Sequence, residues 1–249
     1  MTAPERERFE AARQKIIGKT RERQGIGTLA EKTVHAVLKN YYEPREDCQE
    51  IPVEGCVADI FTGSEIMEIQ TRSFDKLRGK LERFLPLYPV TVVYPIPHVK
   101  TLYWIDRESG ELSKGRKSPL TGSPYLAFPE LYKIKMFLKE PNLRIRLTLL
   151  DMEEYKLLDG WSRDKKKGSS RFDRIPVSIE REVELTCPQD YLQLIPYELE
   201  EPFTAARFAK AVHIRRELGG VVCNILNYLE VIERVGKEGR AYLYRVREE

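Results

Sequence analysis

The stretch from Val57 to Gln70 constrains the fold of this chain more than any other. Two runs of alternating character flank Thr62-Gly63-Ser64-Glu65, a turn signal. Side chains alternate along a strand, so Val57, Asp59 and Phe61 share one face, and Ile66, Glu68 and Gln70 share a face of the next strand. A two-residue loop at Gly63-Ser64, glycine first, pairs Phe61 with Ile66 and sets Asp59 directly opposite Glu68. Opposed side chains stand with their Cβ atoms about 4.5–5.5 Å apart, where like charges repel. Two carboxylates so placed need a shared proton or a cation between them. Mg²⁺ takes one or two carboxylates together with water and phosphate oxygens, so the hairpin reads as half of a hard-metal site.

The flanking pattern puts this hairpin between helices. A helix is predicted from Thr28 to about Tyr42, with Thr28 as its cap and Glu31 three residues on. Val34, Val37, Leu38 and Tyr41 form its apolar stripe. Glu31 falls at the edge of that stripe, beside Leu38, either as a capping-box residue or as an acid that needs a partner. Strands are expected at Glu50–Val53, Cys56–Phe61 and Glu65–Gln70. An amphipathic helix follows over Lys76–Tyr88, then a buried strand at Val90–Tyr94. Thr101–Ile105 and Glu111–Ser113 flank the turn Glu108-Ser109-Gly110. This order is mixed α/β, with a meander entering a central sheet.

Gly27-x-x-x-Glu31, then Asp59, then Glu68-Ile69-Gln70, resembles the PD-(D/E)XK nuclease superfamily, over about residues 25–95. The resemblance implies a restriction-endonuclease-like mixed sheet flanked by helices. It implies that Asp59, Glu68 and the Ile69 carbonyl hold Mg²⁺ or Mn²⁺, and that Glu31 helps hold a second ion or a metal-bound water. Gln70 stands where most of the superfamily has lysine. A glutamine orients water or a phosphate oxygen by hydrogen bonds but supplies no charge. Arg72, Lys76 or Arg78 would supply it from the start of the next helix. The implied activity is metal-dependent hydrolysis of DNA phosphodiester bonds. The alternative is a DNA-binding or scaffold protein with a nuclease-like fold and no catalysis.

The remainder divides into an amino-terminal arm (1–25), the nuclease-like domain with a basic extension (26–188), and a carboxy-terminal domain (189–249). The arm, with seven basic and four acidic side chains, reads as a charged, solvated helix. Pro129–Leu138 is predicted helical, Leu143–Leu150 a strand and Met152–Leu158 a short helix. Trp161 to Arg174 reads as a basic loop whose Lys165, Lys166 and Lys167 could track phosphates. Tyr191–Pro202 suits a linker. Beyond it, a helix over Thr204–His213 capped by Thr204, a turn at Gly219-Gly220, a helix over Val221–Leu229 and strands at 231–235 and 241–246 resemble a winged helix-turn-helix. That resemblance implies phosphate contacts from Arg215, Arg216, Lys237 and Arg240, although the recognition-helix candidate is mostly apolar, with Asn224, Asn227 and Tyr228 as its polar content.

Composition excludes some classes. The net charge is only +3, so any nucleic-acid surface must come from local patterning. No apolar run approaches the ~20 residues of a membrane span. The first 25 residues lack the apolar stretch of about 7–15 residues of a signal peptide, so a cytoplasmic protein is expected. Cys48, Cys56, Cys187 and Cys223 show no metal spacing and read as reduced thiols. His35, His98 and His213 show no ligand spacing. The expected partner is DNA, with a homodimer if both strands are cut.

Overall fold

The computed structural model describes residues 1–23, 32–160 and 168–247. The chain is a mixed α/β protein with a seven-stranded sheet flanked by helices. Helix α1 (Ala3–Arg23) and helix α2 (Lys32–Tyr42) lead into a meander. Its strands are β1 (Gln49–Val53), β2 (Cys56–Phe61) and β3 (Ile66–Ile69). A 3-10 turn and α3 (Arg78–Phe84) cross over to β4 (Val90–Asp106). Short β5 (Arg116–Lys117), α4 (Phe128–Lys133), and the long strands β6 (Leu143–Leu158) and β7 (Ser170–Leu185) complete this part. The sheet order is β1-β2-β3-β4-β6-β7, with β5 on β4. β3, β4 and β6 run parallel to one another; the other pairings are antiparallel.

Strand β4 begins with a continuous apolar run because both of its faces are covered. Val90, Val92 and Ile96 point into a core shared with Leu77, Leu81 and Phe84 of the crossover and Phe128 and Leu131 of α4. Val93 points the other way, into a second core with Val34, Val37, Leu38 and Tyr41 of α2. The predicted stripe of α2 is thus the buried one. The amino-terminal arm is helical but not solvated: Phe9 and Ala12 are buried in that second core. Arg8 lies 4.7 Å over the Tyr41 ring, and Arg13 donates to the Pro176 carbonyl.

Two expectations fail for the same reason. Met152–Leu158 is rich in helix formers, yet it continues β6, paired on one side to β4 and on the other to β7. The basic segment from Ser170 onward is likewise strand, so Arg171 and Arg174 belong to β7 rather than to a loop. Ladder pairing, on both sides for β6 and with β6 alone among the described strands for β7, outweighs a propensity worth tenths of a kcal/mol per residue.

The carboxy-terminal elements are β8 (Phe203–Thr204), α5 (Ala205–Ala211), α6 (Arg216–Tyr228), β9 (Ile232–Glu238) and β10 (Ala241–Val246), with sheet order β8-β10-β9. Thr204 caps α5 by accepting from the Arg207 amide, as the sequence predicts. Gly219-Gly220 is not a turn but part of α6; the turn falls earlier, where His213 adopts a φ of 56°. Gly219 has a packing role. A Cβ there would lie 2.7 Å from the Ala205 carbonyl oxygen and 2.7 Å from the Ala209 Cβ, so its absence lets α5 and α6 touch. The segment expected as a linker is packed, with Tyr191 and Leu194 buried. Phe203, Phe208, Val222 and Ile225 belong to the same core as Val92 and Leu147 of the sheet.

Candidate functional site

The β2–β3 hairpin has the register read from the sequence. Ile60 pairs with Met67 and Phe61 with Ile66. Gly63, first in the loop, has a φ of 93°, in the region glycine enters without strain. The same register brings Asp59 level with Glu68, just past the last paired residues. There side chains take over from the ladder. The Ile69 amide donates to Asp59 Oδ2 at 2.8 Å, and the Asp59 amide donates to Glu68 Oε1 at 3.4 Å.

Each carboxylate has a basic partner from a different helix. His35 Nε2, on α2, lies 3.1 Å from Asp59 Oδ2. Lys80 Nζ, on α3, lies 2.7 Å from Glu68 Oε2. Lys39, one turn beyond His35, pairs with Glu50 at the head of the meander. The hairpin therefore gathers acids from its two strands and bases from the helices that cover the sheet.

The pKa values of the two acids are displaced in opposite directions. Glu68 is only 3% exposed. Burial, and then the neighbouring Asp59 charge, push its pKa up to about 7, against the opposing pull of Lys80. Burial also works against an ionised Asp59, but His35, the Ile69 amide and Lys80 outweigh it and hold its carboxyl below the usual value. A pair of carboxyls split in this way is a common sign of a functional site. The donor set, two carboxylates with a backbone carbonyl next to them, suits a hard divalent cation.

The other residues singled out by sequence fall as follows. Gln70 is next to the pair, but its amide donates to the Ser73 carbonyl at 2.6 Å. Arg72 and Lys76 are exposed at the start of the crossover, and Arg78 donates to the Lys133 carbonyl. The cation beside the pair is Lys80, 2.7 Å from Glu68, which sequence reasoning did not select. It follows Leu77 by three residues and precedes Phe84 by four, both buried, so helical spacing could have placed it at the edge of the stripe. His35 was missed because its partner is distant in sequence. Glu31, Lys165, Lys166 and Lys167 lie outside the described residues.

In the carboxy-terminal part, Arg215, Arg216, Lys237 and Arg240 are all exposed. Of the three polar side chains noted on α6, Asn224 and Tyr228 are engaged within the chain, while Asn227 Oδ1 is buried with no hydrogen-bond partner among the described residues. Asn224 Oδ1 accepts from Lys135 at 2.9 Å, and Tyr228 has Lys135 and Lys139 over its ring at 4.6 and 5.2 Å. No described helix is long and apolar enough to cross a membrane. The four cysteines are free, two of them buried.

A family model described as a domain of unknown function, DUF8091, matches residues 32–186. An uncharacterized protein of Treponema pallidum (strain Nichols) is 28% identical over 224 residues, covering 88% of this chain and 87% of its own length. No solved structure matches.

Proposed function

Because the chain belongs to the DUF8091 family, a domain of unknown function with no activity to lend, we propose its function from its own residues: a metal-dependent nuclease that hydrolyses DNA phosphodiester bonds. One observation carries the reading. Asp59 and a buried Glu68 stand level on adjoining strands, with opposite pKa displacements and with Lys80 bonded to the second acid. Burying two acids together costs stability that packing alone does not repay. A site that binds a cation and a phosphate gives a reason for it.

Asp59, Glu68 and the Ile69 carbonyl would hold Mg²⁺ or Mn²⁺, which when bound supplies Lewis acidity toward a phosphoryl oxygen and a lowered pKa to water. The chain's own groups do the rest. His35 holds Asp59 ionised and fixes the carboxylate from the α2 side. Lys80 keeps a cation at Glu68 Oε2, where it can neutralise charge developing on a scissile phosphate. This answers the absence of lysine at position 70. Gln70, bonded to Ser73, positions the chain between β3 and the crossover. The restriction-endonuclease-like core is the fold this reading implies, with helix, meander, helix and parallel strand in that order. On the winged-helix side, the exposed Lys237 and Arg240 of the β9–β10 hairpin are the residues offered to DNA, since Asn224 and Tyr228 of α6 bond to the main body.

The test is calorimetric titration of Mn²⁺ and Mg²⁺ into wild type and Asp59→Ala, with plasmid and oligonucleotide cleavage alongside. Binding lost in Asp59→Ala, with cleavage that needs the ion and is abolished in Glu68→Ala, supports the assignment. Ion binding unchanged by Asp59→Ala removes it. DNA binding with no cleavage under any divalent ion would favour the non-catalytic alternative.

A further inference from the structure

Beyond the carboxyl end of β3, the described sheet continues as the long strands β4, β6 and β7, with short β5 on β4. There they carry an unbalanced group of charges. Glu154 on β6 is buried, with its side chain 4% exposed, and four cations surround it. Arg174 Nε of β7 lies 3.1 Å from Glu154 Oε2, Lys100 Nζ of β4 3.4 Å, and Arg171 Nε of β7 4.0 Å. Lys156 Nζ of β6 lies 3.7 Å from Glu154 Oε1. Among the described residues, this one carboxylate faces four cations and cannot neutralise them all.

The ladder makes the imbalance more severe. Glu154 is paired directly with Arg174, but Lys156 is paired directly with Arg171. Like charges directly opposed across an antiparallel pair are destabilising. Burial, Arg174 and Arg72 all displace the Arg171 guanidinium downward in pKa, against Glu154. Arg72, whose charge acts on Arg171, follows Gln70 by two residues in the chain, just past the end of β3. Glu154 stays ionised because Lys100, Arg174 and Arg171 overcome its burial. Its role in the cluster is to gather and orient cations, which leaves a surplus of positive charge facing outward.

We propose that this extension of β4, β6 and β7 is a cradle for the sugar-phosphate backbone of a nucleic acid, with Lys100, Lys156, Arg171 and Arg174 as its phosphate contacts and Arg72 leading the strand toward Asp59 and Glu68. The choice of a phosphodiester ligand rests on the nuclease reading; the excess of cations does not. Guanidinium groups suit phosphate because their donors match two of its oxygens at once. The side chains of Lys156 and Arg171 are 29% and 45% exposed, so both can reach a ligand while their stems stay packed.

The experiment is fluorescence anisotropy of a labelled short DNA duplex in EDTA, where no cleavage intervenes, as a function of salt. Lys156→Ala and Arg171→Ala each weaken binding several-fold and lower the slope of log affinity against log salt by about one. Arg171→Lys keeps the charge and therefore the wild-type salt slope, but binds more weakly than wild type because a lysine does not match two phosphate oxygens at once. Unchanged affinity and slope in both alanine variants would overturn the cradle, whether or not wild type cleaves with Mg²⁺. Displacement of the duplex by millimolar inorganic phosphate at constant ionic strength would also overturn it, in favour of a single-phosphate site. Duplex binding that depends on Lys156 and Arg171 in a protein that never cleaves would leave the cradle standing and refute the catalytic reading alone.

Discussion

Glu68→Gln should make this protein more stable, and the gain should depend on pH. A protonated glutamic acid and a glutamine are both neutral and nearly equal in shape, so the two proteins are equivalent when Glu68 is protonated. In the folded state its pKa is raised from 4.5 to about 7 by burial and by Asp59. The folded state therefore binds more protons than the unfolded state between those values, and wild-type stability falls as pH rises through that window. Each pKa unit corresponds to about 1.4 kcal/mol, so the full cost above pH 7 is on the order of 3 kcal/mol. Glutamine does not titrate and escapes that cost. Urea unfolding of both proteins at several pH values, without divalent ions, measures the difference. The curves should coincide near pH 4.5 and separate steadily to about 3 kcal/mol in favour of the variant above pH 7. Added Mg²⁺ should then close the gap from the wild-type side, because only wild type offers both carboxylates. Equal stability at every pH, or a less stable variant at pH 8, would refute the assignment of a raised pKa to Glu68.

Other expectations follow from single contacts. Lys80→Met should raise the Glu68 pKa further, shift the pH profile of cleavage upward and lower its rate by about 10²–10³, as single-turnover assays would show. Gly219→Ala should cost roughly 1–3 kcal/mol in urea unfolding, because its Cβ meets Ala205 and Ala209 at 2.7 Å. Phe9→Ala empties a buried place between α1 and α2. Hydrogen exchange across Ala3–Arg23 should accelerate while that of β4 stays unchanged.

What the sequence disclosed was whatever local geometry decides. The hairpin register follows from the Gly63-Ser64 loop and two-residue alternation, and it brought Asp59 level with Glu68 without any tertiary information. The α2 stripe and the Thr204 cap were legible for the same reason. What it concealed depends on partners far along the chain. Met152–Leu158 has the composition of a helix and becomes strand because β4 and β7 flank it. Gly219-Gly220 looks like a turn until α5 is packed against it. His35 and Lys80 reach the carboxylates only once α2 and α3 cover the sheet, so neither carries a spacing that announces its role. The Lys156–Arg171 pairing was invisible while Arg171 was read as part of a loop.

The shared core has a practical consequence. The family match ends at residue 186, next to the last residue of β7. The apolar cluster does not end there: Phe203, Phe208, Val222, Ile225 and Leu226 fill it from the carboxy-terminal side, each fully buried. An expression fragment trimmed to the matched region would bare the surface these residues cover, including Phe128 and Leu131 of α4. Contiguous exposed apolar surface of that kind promotes aggregation. A fragment carried on through β10 keeps that surface dry, and is the better choice for any attempt to crystallise or assay this family in isolation.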